Sequence, residues 1–146
     1  MNGTPPVLRM AATAALLLAV GCGRHAGKVS GRVTLDGQPL ANGVVSFTPT
    51  KAGSSAYGTI GPDGRYRLQT GAETGIDPGD YKVTIASNAT PEQAAAMGFK
   101  IGREGIMPLL TPPRYGDVAT TPLSAAVKSG SQEIDFAIEP EKGPKK

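Results

Sequence analysis

Cysteine and histidine, two residue types that often act as nucleophile, general base or metal ligand, are scarce in this chain. Cys22 is its single cysteine and His25 its single histidine. Acyl transfer needs a nucleophile, a base and a group that orients the base, and a histidine so close to the start of the chain supplies no such constellation. A lone cysteine forms no intramolecular disulfide, and a Cys/His zinc site takes about four ligands. With no Gly-rich phosphate loop present either, the sequence predicts no enzyme activity and no cofactor.

Three aspartates in turns are the remaining candidates for chemistry. Asp77 and Asp80 flank a Pro-Gly turn, and Asp63 lies in a Pro-Asp-Gly turn earlier in the chain. Carboxylate oxygens are ligands that Ca²⁺ prefers, but Asp and Gly also favour turns for their backbone geometry alone. Asp63, Asp77 and Asp80 are therefore weak calcium candidates, and the residue types indicate no other metal site.

An apolar run, residues 10–20, follows Arg9 and ends two residues before Cys22. A bilayer-spanning helix needs about 20 apolar residues, so this shorter run is typical of the central region of a secretory signal peptide. The sequence LAVGC at 18–22 resembles the lipobox of bacterial lipoproteins, in which the cysteine is acylated and becomes the mature N-terminus. Ala19 occupies a position where that motif usually has leucine. The alternative is an ordinary signal peptide cleaved elsewhere, with Cys22 left as a free thiol.

From residue 28 to residue 139 apolar and polar residues alternate with a period of two, which is typical of strands that bury one face. Turn signals such as Asp36-Gly37 and Pro78-Gly79 separate the alternating segments. The apolar residues of the seven segments begin at Val29, Val45, Ala56, Tyr66, Tyr81, Leu123 and Ile134. Seven such strands predict an all-β fold, a sandwich of two antiparallel sheets packed face to face.

The alternation also predicts which side chains fill the core. The expected inward-facing set is Val33, Phe47, Leu68, Val83 and Phe136, with Tyr66 and Tyr81 as further bulky members. Tyr81 follows the Pro-Gly turn closely enough for its hydroxyl to bond to the backbone at a sheet corner. A partly exposed strand tyrosine is the alternative.

Three stretches that combine a turn with a strand follow one another in order: GRVTLDGQPL at 31–40, DGRY at 63–66 and PGDYKV at 78–83. Together they resemble the carboxypeptidase regulatory-like domain, whose fold is a transthyretin-like (prealbumin-like) seven-stranded sandwich. The chain as a whole resembles small bacterial lipoproteins that join a lipobox to one such domain. The resemblance implies a non-catalytic accessory module and specifies no substrate, because one fold hosts many functions.

Residues 88–119, between the fifth and sixth predicted strands, are too long for a hairpin loop, which takes about two to five residues. We call them the insertion. Thr90, Pro91 and Gln93 predict the start of a short helix, because a threonine N-cap, a proline in the first turn and a glutamine three positions after the cap form a capping box. Gly98 is expected to end this helix after about two turns.

The insertion carries more apolar residues than a solvated loop needs, and Gly and Pro interrupt it too often for a regular core element. Long loops on rigid sandwiches often carry binding sites, so Met97, Phe99, Met107 and Tyr115 are candidate binding residues. The alternative is that these side chains fold back and cover an open edge or end of the sandwich.

These patterns divide the chain into a lipoprotein signal peptide at 1–21, a tether at 22–27, a carboxypeptidase regulatory-like sandwich at 28–139 and a disordered basic tail at 140–146. The 15 basic and 12 acidic residues alternate along the sequence without long runs. No basic stripe interleaved with aromatic residues is present, so we expect no nucleic-acid binding.

The sequence therefore favours an exported, non-enzymatic lipoprotein held at the membrane of a bacterial cell envelope by acyl chains such as palmitate. Its expected role is that of an envelope structural or interaction module, with the membrane and an envelope protein or glycan as partners. The alternative is a binding module for a carbohydrate, a peptide or a small ligand that uses loop 88–119. Aromatic platforms typical of carbohydrate sites are few, since the chain has no tryptophan.

If Cys22 carries the lipid, Cys22→Ser should release the protein from membranes, because each acyl CH₂ buried in the bilayer contributes about 0.8 kcal/mol to anchoring. Membrane fractionation measures this release, and mass spectrometry of the membrane form should find an acylated Cys22 at its N-terminus. A soluble mature protein with an unmodified cysteine would contradict the lipidation.

Overall fold

The computed structural model describes residues 25–141, which form a mostly β fold with two sheets arranged as in a sandwich. The all-β class predicted from the sequence is confirmed. The signal peptide at 1–21, the lipidation candidate Cys22 and the tail from residue 142 onward lie outside the described residues. The first strand begins at Gly27, one residue before the predicted domain boundary.

In chain order the described residues form eleven strands, one α-helix and one short 3₁₀ helix. The strands are β1 (Gly27–Leu35), β2 (Gln38–Pro39), β3 (Val44–Pro49), β4 (Ala56–Thr59), β5 (Arg65–Arg67), β6 (Gln69–Thr70), β7 (Glu73–Thr74), β8 (Gly79–Ala86), β9 (Ser124–Val127), β10 (Gly130–Glu133) and β11 (Phe136–Ile138). The α-helix, α1, spans Pro91–Ala96, and the 3₁₀ helix spans Pro113–Tyr115.

One sheet, which we call sheet 1, is built around β1. On one side β1 pairs antiparallel with β2 and β5, and on the other side it pairs parallel with β10 and β11. The expectation that all strands pair antiparallel is therefore wrong at this edge. The reason is that residues 128–129 carry the chain from β9, which belongs to the other sheet, across to sheet 1, so β10 does not return as a hairpin beside β9.

The other sheet, sheet 2, has the strand order β7-β6-β4-β3-β8-β9, and its pairs are antiparallel. Its longest pairing joins β3 to β8, from Val44 opposite Ala86 at one end to Pro49 opposite Tyr81 at the other. The seven predicted strands all occur within the two sheets. Four strands were not predicted. Strands β2, β6 and β7 have two residues each, which are too few to show an alternation. Strand β10 has the sequence GSQE, which contains no large apolar residue.

The two sheets enclose an apolar core whose largest members are aromatic. Tyr66 and Phe136 from sheet 1 meet Phe47 and Tyr81 from sheet 2 in a row whose neighbouring ring centroids are 5.9 to 6.3 Å apart. Ring contacts of this kind contribute about 0.5–1.5 kcal/mol each beyond the burial of area. Every residue of the predicted inward-facing set is buried, which confirms the predicted strand faces.

A close approach between strands determines the middle of sheet 1. A Cβ on Gly31 would lie 1.9 Å from the backbone oxygen of Ile134, so only glycine fits there. The ring of Tyr66 covers Gly31, and its hydroxyl donates to the Ile134 oxygen at 2.6 Å. In a regular parallel ladder the Arg32 N–H would donate to that oxygen, but here it donates to the Asp135 carboxylate at 2.7 Å. Two side-chain hydrogen bonds thus replace one ladder bond, which is why β10 and β11 are separate strands.

Tyr81 makes the corner contact that its position predicts. Its hydroxyl donates to the backbone oxygen of Asp77 at 2.8 Å, and the side chain is buried. Burial, and to a smaller extent the Asp77 carboxylate, raises the pKa of the Tyr81 phenol. The corner interpretation is therefore confirmed, and the alternative of an exposed strand tyrosine is wrong.

Tyr66→Phe removes the donor to the Ile134 oxygen while it keeps the ring. We expect the free energy of unfolding to fall by about 1–2 kcal/mol, because an oxygen inside the sheet loses its partner. Burial, and secondarily the Asp135 carboxylate, raises the pKa of the Tyr66 phenol above its ordinary value of 10.0. As the pH rises, the unfolded chain therefore loses this proton first, so the stabilisation is complete below about pH 10 and is lost above it.

Denaturant unfolding at about pH 8 and at about pH 11 measures both effects. The parent protein should lose stability over this interval more steeply than the Tyr66→Phe variant does. Equal losses in the two proteins would show that the Tyr66 phenol does not titrate differently in the folded and unfolded states.

Candidate functional site

The two ends of the insertion are joined to each other where β8 ends. Leu110 N–H donates to the Ser87 oxygen at 2.8 Å, and Ala89 N–H donates to the Pro108 oxygen at 2.8 Å. An isolated antiparallel bridge lies between these two bonds. Residues 90–107 therefore form a loop that starts and ends on a fixed base.

The predicted helix and its capping box are confirmed at the start of this loop. Thr90 Oγ1 accepts from the Gln93 N–H at 3.3 Å, and Gln93 Oε1 accepts from the Thr90 N–H at 2.8 Å. Pro91 is the first residue of α1, where no intrahelical bond needs its missing N–H, and Gly98 follows the helix with a φ of +72°. Ala94 is the buried residue of α1, and it is not a member of the core cluster.

A group of exposed apolar side chains lies just after α1. The group, which we call the apolar tip, consists of Met97, Phe99, Ile101, Ile106 and Leu109. Its members are well exposed, with Ile106 at 65% and Phe99 at 41%. They make up most of the large apolar side chains exposed in residues 25–141. Of the predicted binding residues, Met97 and Phe99 belong to the apolar tip.

Tyr115 is not part of this surface, which corrects its assignment as a candidate binding residue. It lies in the 3₁₀ helix at 6% exposure and packs in the core. Its hydroxyl accepts from the Glu139 N–H at 3.3 Å, and the Arg114 guanidinium stands 4.7 Å from the centroid of its ring. The ring therefore closes one end of the sandwich instead of facing a ligand.

The insertion thus has two parts with different surroundings. Leu110 packs against the core, and Thr111 and Pro112 are buried, so residues 110–116 are the cover that one of the sequence interpretations expects. Residues 97–106 are exposed throughout. Met107, the remaining candidate binding residue, is half-buried between the two parts.

The insertion lies at the end of the sandwich opposite to the start of the described chain. Gly27 N–H donates to the Ile76 oxygen at 2.9 Å, just before β8 begins, whereas the insertion follows Ala86, the last residue of β8. A strand of this length separates its two ends by about 23 Å. The chain therefore enters the domain at the end remote from the apolar tip.

The three calcium candidates are not brought together. Asp77 accepts from His25 Nδ1–H at 2.9 Å beside the start of β8, close to Asp80. Asp63 lies in the turn between β4 and β5, where its carboxylate accepts from the Arg65 N–H at 3.1 Å. Within residues 25–141 no group of three or more His, Cys, Asp or Glu side chains is placed to hold a metal ion. The described geometry therefore supports no calcium site built from these aspartates.

No helix in the described part of the chain combines the length and the apolar character needed to cross a bilayer. Comparison of the chain with known protein families, with curated protein sequences and with solved structures finds no match. The proposal for its function therefore depends on the exposed side chains of the described residues.

Replacing residues 97–106 by a Gly-Ser linker of the same length should leave the free energy of unfolding within about 0.5 kcal/mol of the parent value, because these residues are exposed. Tyr115→Ala should cost about 3 kcal/mol or more, because it removes a buried ring from the core. Denaturant melts measure both changes. A large loss from the linker replacement would show that the apolar tip packs against its own domain.

Proposed function

We propose that this protein is a non-enzymatic bacterial lipoprotein, anchored to a cell-envelope membrane through an acylated Cys22, that binds an envelope protein through the apolar tip. The observation that carries the proposal is the position of the tip, whose large apolar side chains are exposed at the end of the sandwich remote from Gly27, where the first strand begins. Exposed apolar surface of this kind marks interaction sites.

The anchoring part of the proposal rests on the chain that precedes the domain. The apolar run at 10–20 ends beside the single cysteine, Cys22, in a lipobox-like context. Three residues after Cys22, His25 is hydrogen-bonded to the Asp77 carboxylate beside the start of β8. A lipid on Cys22 therefore leaves only a short spacer between the membrane surface and the sandwich.

The proposed domain family is the carboxypeptidase regulatory-like family, with its transthyretin-like sandwich. The motifs at 31–40, 63–66 and 78–83 favour it, and the fold of two packed sheets is consistent with it. In this proposal the domain serves as a scaffold. The chain has only one histidine and one cysteine, which are residues that often act in catalysis.

A protein partner suits the apolar tip better than the anchoring membrane does. The sandwich stands between that membrane and the tip, at a separation of about 23 Å along β8. Lys100, Arg103 and Glu104 place charges of both signs between the exposed apolar side chains. An apolar centre with mixed polar surroundings is the usual anatomy of a protein interface.

A carbohydrate at the apolar tip is less well supported. Phe99 is the one aromatic ring of the tip, and aliphatic and thioether side chains supply the rest of its apolar surface. Side chains of this kind have no flat face on which a sugar ring stacks. They fill an apolar cleft in a partner protein well, because they are compact and adaptable.

Site-specific photo-crosslinking in the membrane-anchored full chain tests this function. A photoreactive amino acid at Ile106 should give a discrete product with one protein, whereas the same amino acid at Tyr57, which is exposed on β4, should give none. Phe99→Ser should lower the yield of the Ile106 product at least about tenfold, because a buried aromatic anchor contributes about 2 kcal/mol to binding. Val118→Ser, at nearly the same exposure as Phe99, is the matched control and should leave the yield unchanged.

Crosslinks to lipid alone, or equal products from Ile106 and Tyr57, would contradict a protein partner at the apolar tip. Membrane fractionation of each variant distinguishes a loss of anchoring from a loss of binding. A variant that stays in the membrane fraction and gives no product has lost the partner and kept the lipid.

A further inference from the structure

A second surface, on the solvent side of sheet 1, has a chemistry unlike that of the apolar tip. Two depressions of about 560 and about 320 Å³ adjoin there, since both are lined by Ser30 and Arg67. Together we call them the groove. The charged and hydroxyl-bearing residues that line it are Lys28, Arg65, Arg67, Ser30, Thr59, Thr74, Ser131 and, buried beneath, Tyr66. Among the described residues, no carboxylate lines the groove.

The strand register places the three cations of the groove in a line. In the β1–β5 pair Ser30 stands opposite Arg67 and Arg32 stands opposite Arg65, so Lys28 is a diagonal neighbour of Arg67. Successive cations in the order Arg65, Arg67, Lys28 are therefore about 7 Å apart at the backbone. A ligand that meets all three cations needs several negative charges along its length.

Two of the three cations form no ion pair with a described residue. Arg65 forms an ion pair with Asp63 at 3.5 Å, whereas no ion pair engages Lys28 or Arg67 in the part of the chain that the structure describes. Arg32 stands directly opposite Arg65, and like charges in such positions destabilise a sheet. An anion bound in the groove relieves this repulsion.

The carboxylates of sheet 1 lie on the other side of β1. Glu133 stands opposite Ser30 in the parallel pair of β1 with β10. Asp135 already accepts the Arg32 N–H at 2.7 Å. On this face the cations therefore lie on β1 and β5, whereas Glu133 lies on the neighbouring strand β10.

We propose that the groove binds a linear anionic glycan, a hydroxyl-rich polymer that carries carboxylate or phosphate groups along its length. The guanidinium groups of Arg65 and Arg67 match either anion as planar, two-pronged donors. The hydroxyls of Ser30, Thr59 and Ser131 both donate and accept, as sugar hydroxyls require. This site is independent of the apolar tip and of the proposed lipid anchor.

A single-stranded nucleic acid has a similar charge pattern but fits the groove less well. Its binding depends on bases that stack on exposed aromatic side chains. The aromatic residue of the groove, Tyr66, is buried, and its hydroxyl is bonded to the Ile134 oxygen. The groove thus offers charges and hydroxyls and no platform for a base.

Binding of the full chain, held in nanodiscs of zwitterionic lipid, to four immobilised polymers tests the proposal. Polygalacturonate supplies carboxylates and phosphomannan supplies phosphates, whereas neutral dextran and oligodeoxythymidylate are the comparisons. We expect binding to one or both anionic glycans, none to dextran, and weakening with added salt because the contacts are exposed.

Two double variants with the same change in net charge locate the site. Arg65→Gln with Arg67→Gln should weaken binding to the anionic glycan at least about tenfold, because two charge-assisted contacts are lost. Lys51→Gln with Lys82→Gln removes the same charge from exposed positions in the loop after β3 and on β8, and should change the affinity by less than about twofold. Thermal melts show whether each variant is folded. If a double variant does not fold, the single variants Lys28→Gln and Lys82→Gln are compared instead.

Three results would overturn the proposal. Equal weakening by the two double variants shows attraction by net charge without a site. Tighter binding to oligodeoxythymidylate than to either anionic glycan assigns the groove to nucleic acid. Absence of binding to both anionic glycans removes the ligand class altogether.

Discussion

The hydrogen bond from the Tyr66 hydroxyl to the Ile134 oxygen crosses β1 and joins β5 to the segment between β10 and β11. It requires a glycine beneath the ring, because a Cβ at Gly31 would collide with that same oxygen. Two residues beyond Ile134, Phe136 stacks on Tyr66 and meets Phe47 of sheet 2 edge-on. The bond therefore sets where β11 lies along β1 and, through Phe136, how the two sheets face each other.

The parallel edge that this bond holds also decides which surfaces of the domain stay free. With β5 on one side and β10 and β11 on the other, both edges of β1 are paired, so sheet 1 offers a ligand its solvent face. In sheet 2 the two ends of β8 have different surroundings. The start of β8 lies beside His25 and Asp77, and the end of β8 carries the insertion. The domain therefore has two surfaces with distinct chemistry. One is the charged solvent face of sheet 1, and the other is the apolar tip in the insertion after β8.

Period-two alternation predicted the strands and their buried faces well because it records which side of a strand meets the core. It contains no information on strand direction, so it led to an antiparallel edge where β1 pairs parallel with β10 and β11. The alternation also does not show that residue 31 must be glycine, because this requirement arises only when Ile134 and Tyr66 are in place. The capping box of Thr90 and Gln93 was predictable because both partners lie within one helical turn.

Binding surfaces are difficult to predict from the sequence for the same reason, because they depend on tertiary contacts. Phe99 and Tyr115 are equally plausible as binding residues in the sequence, yet Phe99 is exposed and Tyr115 lies in the core, where the strand end at Glu139 reaches it. The groove is harder still to foresee, since Lys28 and Arg67 are far apart in the chain and become neighbours only through the register of β1 with β5. That register places the groove on a face of sheet 1, whereas the apolar tip belongs to the insertion that follows β8. The two proposed ligands, an anionic glycan and a protein, therefore use different residues of the domain.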